Sequence, residues 1–126
     1  MPDLVFDHYT MRVKNLDRSA TFYKKVVGLK EIYNKTEKEY IRWFSLGNGE
    51  LHIAEKPDEV VETHVGIHIA LSVADLDAFM NKLRDNDIVI HNSKGTPNQI
   101  TNRADGVRQI IFKDPDNYWI EVNEAK

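Results

Sequence analysis

The sequence predicts an α+β protein built from two copies of a strand–helix–strand–strand–strand module. Two observations lead there: the chain resembles itself at an offset of 60 residues, and the order of periodic segments is the same in each half. A third is size. At 126 residues, either half alone would bury too little apolar surface to be comfortable, so the two are expected to fold as one domain of paired modules.

The offset aligns His8 with His68, Val13 with Val73, Leu16 with Leu76 and Asp17 with Asp77. HYTMRV and HIALSV read as the first strands. Each is followed by a polar turn and an amphipathic helix. LDRSATFYKKVVG carries Leu16, Ala20, Phe22, Tyr23, Val26 and Val27 on a broad apolar face, and DLDAFMNKLRDN carries Leu76, Phe79, Met80 and Leu83. Gly28 and Asn86 stand where a helix end favours left-handed backbone.

Three strands are expected after each helix. In the first half they are LKEIYN, EYIRWFSL and ELHIAEK, with Gly47-Asn48-Gly49 as the hairpin turn of the last pair. In the second half they are DIVIHN, VRQIIFK and NYWIEVN. A long polar stretch, SKGTPNQITNRADG, precedes VRQIIFK, and Asp114-Pro115-Asp116 suits a type I turn before the last strand. Module 1 then covers about residues 4–56, module 2 about 64–124, and residues 57–63 link them.

A hydrophobic fraction of 41% with 29% charged residues is that of an ordinary globular chain. The net charge of −3, with basic residues scattered among acids, gives no stripe for a nucleic acid. Apolar runs are too short to span a bilayer, and MPDLVFDHY lacks the apolar region of a secretory signal, so a cytoplasmic location is expected. The absence of cysteine excludes disulfides, thiolate nucleophiles and cysteine-based zinc sites.

The polar residues inside apolar strands carry the chemistry. His8 and His68 open the first strand of each half. His52 and Glu121 sit on the last strands, each flanked by apolar residues that point the other way: Leu51 and Ile53, Ile120 and Val122. If the halves are repeats, these four side chains can share one concave face. Three imidazoles and a carboxylate make a ligand set for a divalent transition metal. His64 and His91 lack repeat partners and are expected in solvated turns or linkers.

HxxxxVxxLxxSxxFY at 8–23, HIALSV at 68–73 and DPDxxxIE at 114–121 together resemble the vicinal oxygen chelate superfamily, and glyoxalase I (lactoylglutathione lyase) within it, over essentially the whole chain. The resemblance implies mixed curved sheets with flanking helices and one divalent metal per site, Zn, Ni, Co, Mn or Fe, on His8, His52, His68 and Glu121. It also implies a homodimer, with the modules paired within one chain or between two. Isomerisation of the hemithioacetal of a 2-oxoaldehyde and glutathione or another thiol, as in methylglyoxal detoxification, would use Glu121 for proton transfer. Arg12 would bind a substrate carboxylate, and Arg103 would reach the substrate. This chain has His52 where glyoxalase I usually has glutamate, and the family's glutathione-holding asparagine is replaced near Lys56. Three other functions share the fold. They are an Fe(II) dioxygenase using His8, His68 and Glu121 with Tyr118 or His91 nearby, a thiol transferase opening an epoxide antibiotic such as fosfomycin, and a metal-free drug-binding protein.

Overall fold

The computed structural model describes residues 3–125 and divides the chain into two compact units, Met1–Val61 and Glu62–Lys126. Each unit holds one four-stranded mixed sheet and one helical segment, as two βαβββ modules require.

In the first unit, β1 (His8–Val13) leads through an Asn15 N-cap into α1 (Leu16–Thr21). The Asn15 side chain accepts the Arg18 amide at 2.9 Å, and Glu55 accepts the Leu16 amide at 2.8 Å. Two otherwise orphaned donors at the helix start are thereby satisfied. The helix continues as a wider π-helical stretch, Phe22–Val27, which differs from the regular amphipathic helix expected there. The wider turn lets the adjacent rings of Phe22 and Tyr23 both be buried, with the Tyr23 hydroxyl donating to Met11 Sδ at 3.3 Å. Gly28 ends it at φ 87°, the left-handed conformation that a glycine adopts without a side-chain clash.

The strands β2 (Glu31–Ile32), β3 (Ile41–Ser45) and β4 (Glu50–Glu55) complete the sheet in the order β1-β4-β3-β2. β1 runs parallel to β4, and the other pairs are antiparallel. Met11, Val13, Phe44, Leu51 and Ile53 are buried with Leu16, Ala20 and Tyr23 of the helical segment. Strand alternation sends His8, His52 and Trp43 to the opposite face of the sheet. The Gly47-Asn48-Gly49 turn forms as expected, Leu46 donating to the Gly49 carbonyl at 2.7 Å.

The second unit repeats the plan with β5 (His68–Val73), α2 (Leu76–Asp85), β6 (Thr101–Asn102), β7 (Arg108–Lys113) and β8 (Trp119–Glu124), ordered β5-β8-β7-β6. Asp75 caps α2 by accepting the Ala78 amide at 2.9 Å, 60 residues after the Asn15 cap. Leu76, Met80 and Leu83 are buried with Ile110, Phe112, Ile120 and Val122. In the Asp114-Pro115-Asp116 turn, Asn117 donates to the Asp114 carbonyl at 3.0 Å and takes φ 68°. That is a type I turn with a left-handed fourth residue.

Two expectations fail in this unit. Asn86 is not left-handed. Instead Asp87 is, at φ 58°, because Ile88 donates to the Leu83 carbonyl and Asp87 to that of Arg84 in a Schellman closure that puts residue 87 at the left-handed place. DIVIHN is not a strand. Only His91 of this segment pairs with the sheet, through two hydrogen bonds to Ile111 of 2.8 and 2.9 Å. The place beside β7 belongs to Thr101–Asn102, from the stretch read as loop. Local side-chain bonds fold that stretch: Asn92 Oδ1 accepts the amides of Lys94 and Thr96, and Thr101 Oγ1 accepts that of Ser93. Among the described residues no helix is long and apolar enough to cross a membrane.

Candidate metal centre

The register of the two sheets places the expected ligands equivalently. Thr10 is the β1 partner of His52, and Ala70 is the β5 partner of Glu121. In each unit a histidine two residues earlier on the first strand therefore stands on the same face as the last-strand candidate. The structure brings His8 together with His52 in one unit, and His68 together with Glu121 in the other. Within either unit, no group of three or more metal-binding side chains forms among the described residues.

In the second unit, His68 Nδ1 lies 2.7 Å from the Val65 carbonyl. A carbonyl only accepts, so Nδ1 carries a proton, and in the neutral ring Nε2 presents a lone pair. Nε2 faces Glu121 Oε1 at 3.3 Å. With the imidazole neutral these are two acceptors, which a shared cation would bridge. Bonds of about 2.1 Å from one ion, opened by about 100–110°, separate their donors by about 3.2–3.4 Å, so the observed spacing fits a shared metal. Each oxygen of Glu121 also receives an amide hydrogen, Oε1 from Gln109 at 2.8 Å and Oε2 from Asn123 at 3.1 Å. Outer partners of this kind orient metal-ligating carboxylates.

In the first unit, His8 repeats the His68 chemistry: its Nδ1 donates to Asp7, which leaves Nε2 open. The same hydrogen bond holds the Asp7 carboxyl below the usual carboxylate range. His52 differs. Its Nε2 donates to Glu50 Oε1 at 2.9 Å, and its ring is sandwiched between Trp43, at 4.0 Å and 4°, and His8, at 4.1 Å and 14°.

Arg12 and Arg103 stand apart from these pairs. Arg12 is more than half exposed and makes an ion pair with Glu59. Arg103 lies in the β6–β7 turn, bound to Asp105 at 2.7 Å. His64 is in a turn, as expected, its Nδ1 accepting the Gly66 amide at 2.9 Å. His91 is a correction, since it is not a solvated loop residue. Its ring packs edge-on against Trp119 at 5.0 Å, and burial, followed by the nearby Lys113 charge, pushes its pKa down. Sequence reasoning missed Gln109, Asn123, Trp43, Glu50 and Asp7. Asn123 and Glu50, two residues from Glu121 and His52 on the same strand faces, were findable by alternation. Gln109 and Trp43 needed the cross-strand register.

Comparison with known proteins adds the family. The model of the Glyoxalase/Bleomycin resistance protein/Dioxygenase superfamily matches residues 5–122. Metallothiol transferase FosB of Shouchella clausii (strain KSM-K16) is 26% identical over 121 residues, covering 93% of this chain and 77% of that protein. Among solved structures, the genomically encoded fosfomycin resistance protein FosX from Listeria monocytogenes aligns with a TM-score of 0.76 at 22% identity, over 100% of this chain and 95% of that one. Lactoylglutathione lyase from Agrobacterium tumefaciens aligns with a TM-score of 0.70 at 15% identity, over 98% and 95%.

Proposed function

Since the chain belongs to the glyoxalase/bleomycin resistance protein/dioxygenase superfamily, we propose that it is a metal-dependent enzyme that adds a small thiol to an electrophilic small molecule, such as an epoxide. His8 and His68 would hold a divalent metal through Nε2, and Glu121 through its carboxylate. A bound metal supplies Lewis-acid polarisation of the substrate oxygen. In the reaction the thiolate sulfur attacks an epoxide carbon, the carbon–oxygen bond breaks, a carbon–sulfur bond forms, and the freed oxygen takes a proton.

One observation carries this choice over the lyase that the sequence resemblance implies. The first-unit position matching Glu121 holds an imidazole, His52, whose Nε2 is already bonded to Glu50. The set therefore offers one carboxylate, not two. That carboxylate accepts amide hydrogens at both oxygens, which suits a fixed ligand better than a base that must reach a substrate carbon. Thiol addition needs no proton shuttle between neighbouring carbons. The similarity to a metallothiol transferase over 93% of the chain supports the same reading. Arg12, four residues after His8 and on the same strand face, is the proposed anchor for an anionic substrate group.

The test is to load the protein separately with Mn, Zn, Ni, Co and Fe(II), then follow thiol loss with fosfomycin and with glutathione, cysteine or another small thiol. Stoichiometric thiol consumption with at least one metal is expected. Thioester formation from methylglyoxal and thiol, with the epoxide untouched, would establish the lyase instead. Oxygen uptake with a catechol under Fe(II) alone would establish the dioxygenase.

A further inference from the structure

Resting on the metal-site reading above, we propose that His52 is a positioning residue and not a ligand: with Trp43 it forms a stacked platform that sets the orientation of the His8 imidazole. A histidine ligand binds through a lone pair lying in its ring plane, so two histidines can share an ion only where their planes meet. The His8 and His52 rings stack with centroids 4.1 Å apart and planes inclined by 14°. Planes so placed meet roughly 16 Å away, far beyond a metal–nitrogen bond of about 2.1 Å. The rings as stacked cannot chelate together.

The other contacts of His52 explain what it does instead. Trp43 is its direct cross-strand partner, and the two rings are parallel within 4°. Glu50 accepts a hydrogen bond from Nε2. The His52 side chain is only 12% exposed, and ring stacking on both faces with a hydrogen bond at its edge leaves it little freedom to turn. His8 is 40% exposed at the start of an edge strand, and would be poorly fixed by its bond to the 86% exposed Asp7 alone. The platform supplies the missing constraint on that ring, while Nδ1 bonding to Asp7 leaves Nε2 outward and open. Among the described residues no ring is stacked on His68, which is instead held by the Val65 carbonyl in the turn just ahead of β5.

The experiment uses Co(II) as probe on the full chain, reading affinity by titration and ligand environment from the visible d–d bands. His52→Phe keeps a flat ring for the stack and has no donor atom; His52→Ala removes both. The expected result is that His52→Phe binds Co(II) within about threefold of wild type with unshifted bands, whereas His52→Ala loses about 10–100-fold, the range for outer-sphere partners. Trp43→Leu should reproduce that loss, and Trp43→Phe should restore binding. Apoprotein thermal melting of each variant separates misfolding from the effect, which is confined to metal affinity if the stack acts through His8. Equal loss in His52→Phe and His52→Ala, with shifted bands, would overturn the proposal while leaving the metal site standing. Wild-type protein that takes up no Co(II) would overturn the metal reading and this proposal together.

Discussion

Gln109→Leu isolates the outer support of Glu121. Gln109 is buried in β7, and its amide donates to Glu121 Oε1 at 2.8 Å across the β7–β8 pair. Leucine is no smaller than glutamine, so the substitution removes a hydrogen bond to a carboxylate without opening a cavity. Oε1 then loses a donor on a side chain only 13% exposed, and is left facing His68 Nε2 at 3.3 Å. A buried acceptor left without its partner costs about 1–3 kcal/mol, which for a chain of this length is roughly 4–12 °C in the apoprotein melting temperature. Metal should recover part of that loss, because a cation beside Oε1 replaces the missing donor. Metal affinity should fall by about 10–100-fold, since the carboxylate is no longer held in place. Circular-dichroism melts of wild type and variant, with and without Zn, measure the first effect, and a Co(II) titration measures the second. A variant that melts within about 1 °C of wild type and binds Co(II) within twofold refutes the role assigned to Gln109.

Asp87→Gly should stabilise the protein by about 0.5–1 kcal/mol by urea titration, because residue 87 is left-handed at φ 58° and places a negative charge at the C-terminal end of α2; a loss of stability would contradict the Schellman geometry. Arg108 hydrogen-bonds Glu124 and Asp77, and both carboxyls lie below their usual values on its account. Carboxyls with depressed values contribute stability that is complete above the ordinary carboxylate range, about 4, and is lost as pH falls below that range and through their depressed values. Arg108→Met should therefore be less stable than wild type at neutral pH and converge with it toward pH about 2, as read from urea midpoints; a gap that persists in acid would refute the ion-pair account. Self-association is also expected: β1 ends its sheet, and Leu4, Val5 and Phe6 just ahead of it are exposed. Sedimentation should find a dimer at micromolar concentration, and a monomer there would exclude the homodimer.

What could be read from the sequence is what repetition and local chemistry dictate. The 60-residue offset located both first strands, and it also holds for the Asn15 and Asp75 caps. Period-two alternation put His52 and Glu121 on the face opposite Leu51, Ile53, Ile120 and Val122, as observed. The turns at Gly47–Gly49 and Asp114–Asp116 follow from residues with special backbone preferences. The misses share one cause, which is competition settled at long range. DIVIHN has the composition of a strand, but the Schellman closure at Asp87 and the turn network of Asn92 leave only His91 in register with β7. Likewise, no local pattern distinguishes a histidine free to bind metal from one clamped beneath a tryptophan. That difference appears only when Trp43 is known to pair with His52.

The two units match at the first-strand histidine and differ at the last-strand position. His8 and His68 occupy one repeated position, and each donates from Nδ1 to an acceptor just ahead of it in the chain, while His68 Nε2 faces Glu121. At the matched last-strand position the repeat breaks, with a stacked, hydrogen-bonded imidazole in one unit and an amide-held carboxylate in the other. Under the proposed ligation, two neutral imidazoles and a single carboxylate cancel one of the two charges of a divalent ion. The remaining positive charge favours an anionic partner at the open position, an oxyanion or a thiolate, over a neutral carbonyl. A second carboxylate in place of His52 would cancel that charge. His52→Glu, compared with His52→Ala at matched Zn occupancy since both lose the stacked ring, should then weaken binding of phosphonate or other oxyanion probes by tenfold or more, measured calorimetrically. If oxyanion affinity instead held steady or rose, the charge of this position would not govern what the site accepts, and the distinction drawn between thiol transfer and isomerisation would lose its basis.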